Sequence, residues 1–176
     1  QQLYNDDFRS LERTFSLLTQ VVGRSGRGEH PGKAIIQTLT PENEIIRLAA
    51  KQDYDAFYNT EIRMRRLMIY PPFCDICVVG FSGADEVKTR VASQRTLDKI
   101  KELTAGKYKN EKLIVLGPLP ARVPRVNKKY RYRLIIKCRN TKGFRGMISE
   151  ILKDFYGDSK FSDVSVYADM NPEITV

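Results

Sequence analysis

The 176-residue chain contains no tryptophan and a single histidine, His30. One imidazole and three cysteines, Cys74, Cys77 and Cys138, do not assemble a convincing four-ligand zinc site. An odd cysteine count is also a poor disulfide framework. The Cys74-x-x-Cys77 spacing falls in a run that reads as a strand, where alternation sends the two thiols to opposite faces. Buried structural thiols are therefore expected, and no metal ligands are assigned. His30, in Gly-Glu-His-Pro-Gly, reads as a solvated turn residue. No stretch approaches the ~20 apolar residues of a membrane-spanning helix. The start also lacks the basic segment and apolar run of a secretory leader. A soluble, cytoplasmic protein with no membrane partner is the expectation. The chain opens on Gln1 rather than Met, as an excised fragment or a processed product does.

Acidic residues are missing from Lys112 to Ser149, where Lys112, Arg122, Arg125, Lys128, Lys129, Arg131, Arg133, Lys137, Arg139, Lys142 and Arg145 make eleven cations. That segment outweighs the whole chain's formal excess of +9. Strand alternation puts Lys129, Arg131 and Arg133 on one face and Tyr130, Tyr132, Leu134 and Ile136 on the other. A solvated cationic stripe follows on the first face. The tyrosines are expected in the core rather than under bases, because stacking platforms share the wet face with cations. Arg122, Arg125, Lys128, Lys129, Arg131 and Arg133 are the candidate DNA contacts, made to phosphates without base readout. Lys142 and Arg145, at the start of the next helix, are assigned to an acidic protein partner. A merely solvated basic hairpin is the bland alternative, and it has to account for the missing acids.

A Gly-x-x-x-x-Gly-Lys-Ser/Thr phosphate loop is also absent, and no Asp-Glu pair is read behind an apolar strand anywhere in the chain. The chain by itself is therefore not expected to hydrolyse ATP. Yet Gln20 to Arg27 reads Gln-Val-Val-Gly-Arg-Ser-Gly-Arg, with glycines that permit a tight turn. Two permanently charged guanidinium groups on such a turn suit the oxygens of a transferred phosphoryl group. Arg24 and Arg27 are the candidate catalytic pair, with Gln20, Gly23 and Gly26 as nucleotide-binding support. A basic surface turn is the alternative. The order Gln-x-x-Gly-Arg-x-Gly-Arg is similar to motif VI of the superfamily II helicases and translocases, which implies contact with the γ-phosphate of ATP held in a facing lobe.

Taken in order, Phe8, Leu11, Phe15, Leu18 and Val22 recur at helical spacing behind Asp6 or Asp7, so a helix delivers the arginine turn. Lys33 to Thr38 reads as a short strand. Helix, turn and strand fit the end of a RecA-like helicase lobe, and their apolar stripe and strand edge are expected to seek a partner. Thr40-Pro41-Glu42 has the chemistry of a helix start. A further helix spans about Asp53 to Met68, and Tyr70-Pro71-Pro72-Phe73 is a rigid linker. Strands follow at about Ile76 to Ser82, Leu113 to Leu116, Lys129 to Lys137 and Val164 to Tyr167. One helix covers Ala84 to Thr104, with Val87 and Val91 aligned on an imperfect stripe. Another presents Phe144, Met147, Ile148, Ile151, Leu152 and Phe155. The predicted class is α+β. Residues 1–40 end a helicase lobe, 41–72 form a helical connector, and 73–176 form a ferredoxin-like β-α-β-β-α-β domain.

The ordered set is more specific than any one motif. It runs from Asp7-Phe8-Arg9-Ser10 through Thr19 to Arg27, Gln37-Thr38, Pro41-Glu42, Tyr54-Asp55-Ala56-Phe57, Arg65-Arg66 and Pro71-Pro72-Phe73 to Leu116-Gly117-Pro118-Leu119-Pro120-Ala121. Over essentially its whole length the chain resembles the C-terminal part of the PriA family, the bacterial replication-restart helicases also called primosomal protein N-prime. The resemblance implies a longer parent that uses ATP and Mg2+ for 3′-to-5′ movement on branched DNA with single-stranded regions, and that helps reload the replicative helicase. It implies an S10-like C-terminal domain, similar to the ribosomal protein, that binds DNA. Together with the helicase lobe, this domain is expected to hold the acidic tail of the single-stranded-DNA-binding protein, beside other primosome proteins. The family's zinc-binding cysteine cluster precedes the arginine motif and has no counterpart here. Tyr130 and Tyr132 stand where the family often has tryptophans. Two other readings stay open. One is a free-standing S10-like nucleic-acid-binding module without ATPase activity, in which Arg24 and Arg27 touch nucleic acid. The other is a non-enzymatic protein that captures acidic tails.

Overall fold

The computed structural model describes residues 7–25 and 33–173, which fall into two compact units, one ending at Met68 and the other beginning at Ile69. In the first unit, helix α1 is Ser10–Ser25, α2 is Glu44–Lys51 and α3 is Tyr54–Leu67. The apolar stripe of α1 is not left bare. Phe15 is buried with Ile45, Ala49 and Phe57, flanked by Leu11, Leu18 and Leu48, and the Phe15 and Phe57 rings stack at 4.1 Å. Helices α2 and α3 are amphipathic themselves, so they supply the cover that was expected from a partner. Arg65 of α3 reinforces the packing with 2.8 Å contacts to Glu61 and to Glu12 of α1.

Two expectations for this unit are corrected. Residues 33–38 form no strand, and Ile35 is 91% exposed. A strand needs a neighbour's N–H and C=O groups, and none among the described residues pairs with this segment. Thr40 is not a helix cap. Its carbonyl accepts from Asn43 N in a turn, and Asn43 caps α2 by accepting from Ile45 N at 3.0 Å. For α3 the cap is Asp53, as its position suggests.

In the second unit, β1 is Asp75–Gly83, α4 Glu86–Ala105, β2 Ile114–Val126, β3 Lys129–Cys138, α5 Lys142–Gly157 and β4 Ser165–Met170, with a 3-10 turn at Ser159–Phe161. The strands make one antiparallel sheet in the order β2-β3-β1-β4. One face is the core: Cys77, Val79, Phe81, Leu134, Ile136 and Val166 lie under Ile100 and Leu103 of α4 and Phe144, Met147 and Ile151 of α5.

Helix α4 turns a different side inward than the valines suggest. Val87 and Val91 are exposed, whereas Thr89, Ala92, Ser93 and Thr96 are buried. Each of the three hydroxyls donates to a carbonyl of its own helix, so burial leaves none unsatisfied. An Asp-Glu pair does follow β1, at Asp85-Glu86, but Asp85 caps α4 by accepting from Lys88 N at 2.8 Å.

Strand β2 outruns the expected Leu113 to Leu116. Its register shifts between Leu116 and Leu119 and again between Pro120 and Arg125, so irregularities carry it past prolines that would stop a regular ladder. Gly117 makes the first shift possible. Its φ is 111°, and a Cβ there would lie 2.8 Å from the Arg133 carbonyl oxygen. Pro118, Pro120 and Pro124 have no N–H to offer a further strand, which suits β2 to the sheet edge.

All three thiols are buried and unpaired in disulfides. Burial, then Asp169, pushes Cys77 up to about 12, and burial, with smaller effects from Cys77 and Asp75, pushes Cys138 up to about 12. Among the described residues no group of three or more His, Cys, Asp or Glu could hold a metal ion. Because the thiolate is the reactive form, iodoacetamide at pH 8 should leave Cys77 and Cys138 unlabelled in the folded chain and label both in denaturant. Mass spectrometry of the two digests checks this.

Candidate nucleic-acid interface

The β2–β3 hairpin gathers the acid-free segment at one end of the sheet. Its turn is Asn127-Lys128, with φ of 49° and 62°, the left-handed pair that a tight two-residue hairpin demands. Asparagine tolerates that region, but lysine does so at a cost of about 1 kcal/mol. A cation is held at the tip against backbone preference. Lys128→Gly is therefore expected to leave thermal stability equal or higher, since relief of strain competes with the added freedom of glycine in the unfolded chain. The same change should weaken DNA binding by one phosphate contact, read as a salt slope flatter by about 0.9.

Arg122, Arg125, Lys128 and Lys129 are exposed and Arg131 is half-buried. Among the described residues none of these five lies within ion-pair range of a carboxylate, while Lys88, Arg95, Lys99, Lys101 and Lys107 elsewhere in the unit all do. Positive charge without internal neutralisation raises the local potential and draws polyanions. Alternation holds along β3: Leu134 and Ile136 are fully buried in the core, and Tyr132 packs against it with its hydroxyl donating to Glu86 at 3.3 Å. Burial, then the charge and hydrogen bond of Glu86, raises the Tyr132 pKa.

The even solvent stripe is corrected in two places. Arg133 is only 8% exposed, because mid-sheet it stands between Gly80 of β1 and Leu119 of β2 and is enclosed by its neighbours. Arg125 pairs with Tyr130 and lies on the tyrosine side, its guanidinium 4.9 Å from that ring centroid. The cations thus wrap the ribbon rather than line one face. Lys137, on the Arg133 side, is likewise buried. Its ammonium sits 3.8 Å from the centroid of Tyr70, and burial lowers its pKa.

Lys142 and Arg145 lie in the first turn of α5, a turn with no acid in it. Both are exposed, and Arg145 also donates to Asn140 O and Oδ1 at 3.1 and 2.8 Å. Thr141 caps this helix by accepting from Phe144 N at 2.9 Å.

In the first unit the arginine motif begins inside α1 rather than on a turn: Gln20, Gly23 and Arg24 all belong to the helix, Arg24 in its last turn. Helical geometry puts Gln20 and Arg24 on one side, where they line a hollow with Thr19, Gly23, Gln52 and Tyr54. Gly26, Arg27 and His30 lie outside the described residues. Among the described residues no helix is long and apolar enough to cross a membrane.

Residues 66–173 match the family model described as the primosomal protein N C-terminal domain. The chain is 35% identical over 170 residues to the replication restart protein PriA of Bacillus subtilis (strain 168), a match covering 97% of this chain and 20% of that protein. It is 34% identical to the PriA of Chlamydia muridarum, covering 98% of this chain and 22% of that one. With the PriA of Thermotoga maritima it shares 37% over 138 residues, 78% of this chain and 17% of the relative. The chain spans about a fifth of the length of these curated relatives.

Proposed function

We propose that this chain, which belongs to the primosomal protein N C-terminal domain family, holds DNA by the phosphate backbone through its second unit, within a replication restart protein. The observation that carries this is the hairpin, where five cations have no carboxylate within ion-pair range among the described residues. Long basic side chains on a twisted ribbon can follow a phosphate track, and contacts to phosphates carry no sequence information. The chain order β-α-β-β-α-β and the sheet order β2-β3-β1-β4 support a ferredoxin-like, S10-like reading of this unit.

The longer parent is, on this proposal, an ATP-dependent 3′-to-5′ helicase, of which α1 belongs to the second RecA-like lobe. Gln20, Gly23 and Gly26 would support, and Arg24 and Arg27 would touch, a nucleotide with Mg2+ held by parts of the parent that this chain does not contain. The described residues do not fit a complete nucleotide site. They offer one helix end with an exposed arginine and no phosphate loop. Nor do they fit the family's zinc.

Anisotropy of the 176-residue chain with two duplexes of unrelated sequence, titrated with salt, tests the DNA reading. Equal affinities that fall steeply with salt are expected, with a slope of roughly −0.9 per phosphate contact. Binding that is sequence-selective or indifferent to salt would reject it. A second surface is favoured at Lys142 and Arg145, the cations of the first turn of α5, where one acid, Glu111, already accepts from the capping Thr141. An acidic protein tail such as that of the single-stranded-DNA-binding protein suits it.

A further inference from the structure

The cation-bearing face of the sheet also carries a ring that the hairpin reading does not use. In β4, Tyr167 stands opposite Gly80 of β1, which on its other side stands opposite Arg133 of β3. The next row is Ser165, Ser82 and Arg131. Both rows lie on the side of the sheet away from Phe81 and Val166, and so away from the helices.

A Cβ at residue 80 would overlap ring atoms of Tyr167. The tyrosine ring therefore occupies a hollow that exists only because residue 80 has no side chain. It rests one part on the backbone of β1 and keeps the remainder to solvent, 46% exposed. Arg131 is two strands across and one row along, roughly 12 Å, a distance that its own long side chain and the base-to-phosphate span of a nucleotide can close. Of the β1, β3 and β4 residues on this face, Lys129, Arg131, Arg133 and Lys137 are basic and Asp169 is acidic.

An exposed ring sharing a face with cations is the arrangement by which unpaired bases are held. In a duplex the flat faces of the bases are stacked on each other and out of reach, so the ring selects for single strands. Resting on the reading that this unit binds DNA, we propose that Tyr167, seated over Gly80, is a stacking platform for a base of single-stranded DNA whose phosphates Arg131 engages.

Because the chain has no tryptophan, Tyr167→Trp places a lone indole at the platform. Saturating oligo(dT) should quench its fluorescence, and a duplex should leave it unchanged. Tyr167→Leu fills the hollow without a ring and should lower oligo(dT) affinity roughly tenfold, the usual size of one stacked base. Duplex affinity and salt slope should stay as they were, and Tyr167→Phe should retain single-strand binding. An unquenched indole under bound oligo(dT), or a Leu variant that binds oligo(dT) like the parent, overturns the platform and leaves the hairpin reading standing. Equal losses for duplex and single strand in a folded Leu variant also overturn it, since they mark a structural role. If the unaltered chain binds neither DNA, the hairpin reading itself fails.

Discussion

Replacing Arg24 or Arg27 by alanine in the full-length parent should lower kcat for ATP by on the order of 10³, with DNA binding little changed. Arg24 ends α1 with its side chain exposed and lines a hollow with Gln20 and Tyr54 rather than plugging the unit's core. Phe15, Ile45, Ala49 and Phe57 do that work a few turns away. Removing the guanidinium therefore spares the fold, and any loss of rate reports on chemistry. An arginine that meets charge developing on a transferred phosphoryl group acts mainly in the transition state, so kcat should fall far more than KM rises. Lysine at either position should restore little, because a point charge does not reproduce a planar fork on phosphate oxygens. Steady-state ATPase rates with and without DNA decide the matter, and equal rates in mutant and parent would remove the arginine-finger role. The 176-residue chain alone should show no turnover above background.

How much of this was legible beforehand depended on the kind of residue doing the work. The α5 face could be read directly, since Phe144, Met147, Ile148, Ile151 and Phe155 recur at helical spacing and all are buried. The α4 face could not. Its buried side includes Thr89, Ser93 and Thr96, whose hydroxyls are satisfied by their own helix and so behave as small apolar groups. Strand β2 outruns its apolar stretch because Gly117, at φ 111°, makes an irregularity at a Gly-Pro where a regular ladder would end. Lys33 to Thr38 departs in the opposite direction, since local β propensity has no effect without a neighbouring strand.

The site was half legible by the same logic. Parity along β3 correctly separated Arg131 and Arg133 from Leu134 and Ile136, yet parity gives a side and not an exposure. Arg133 is enclosed because it sits mid-strand between two neighbours, and only pairing shows that. Tyr167, a single tyrosine near the end of the chain, gives no local signal. Its meaning comes from Gly80, far away in sequence and adjacent across the sheet.

Reversing Lys129 and Arg131 together to glutamate should weaken DNA binding by the second unit on the order of a hundredfold at low salt, equally for unrelated sequences. The slope of log K against log salt should flatten by about two units, since each lost phosphate contact removes roughly 0.9. Both residues pair within the sheet, Lys129 with Val126 and Arg131 with Ser82, and neither side chain enters the helix-covered core. The fold should survive, which circular dichroism would verify. Arg133→Glu is the instructive contrast. That position is 8% exposed, so a carboxylate there is taken out of water and the variant should lose stability before it loses affinity. Phosphate-directed binding predicts the two signatures separately, a changed salt slope with an unchanged melting temperature for Lys129 and Arg131 and the reverse for Arg133. If the Lys129 and Arg131 reversals leave both affinity and slope untouched, the acid-free segment is a solvated hairpin, and DNA must be held elsewhere.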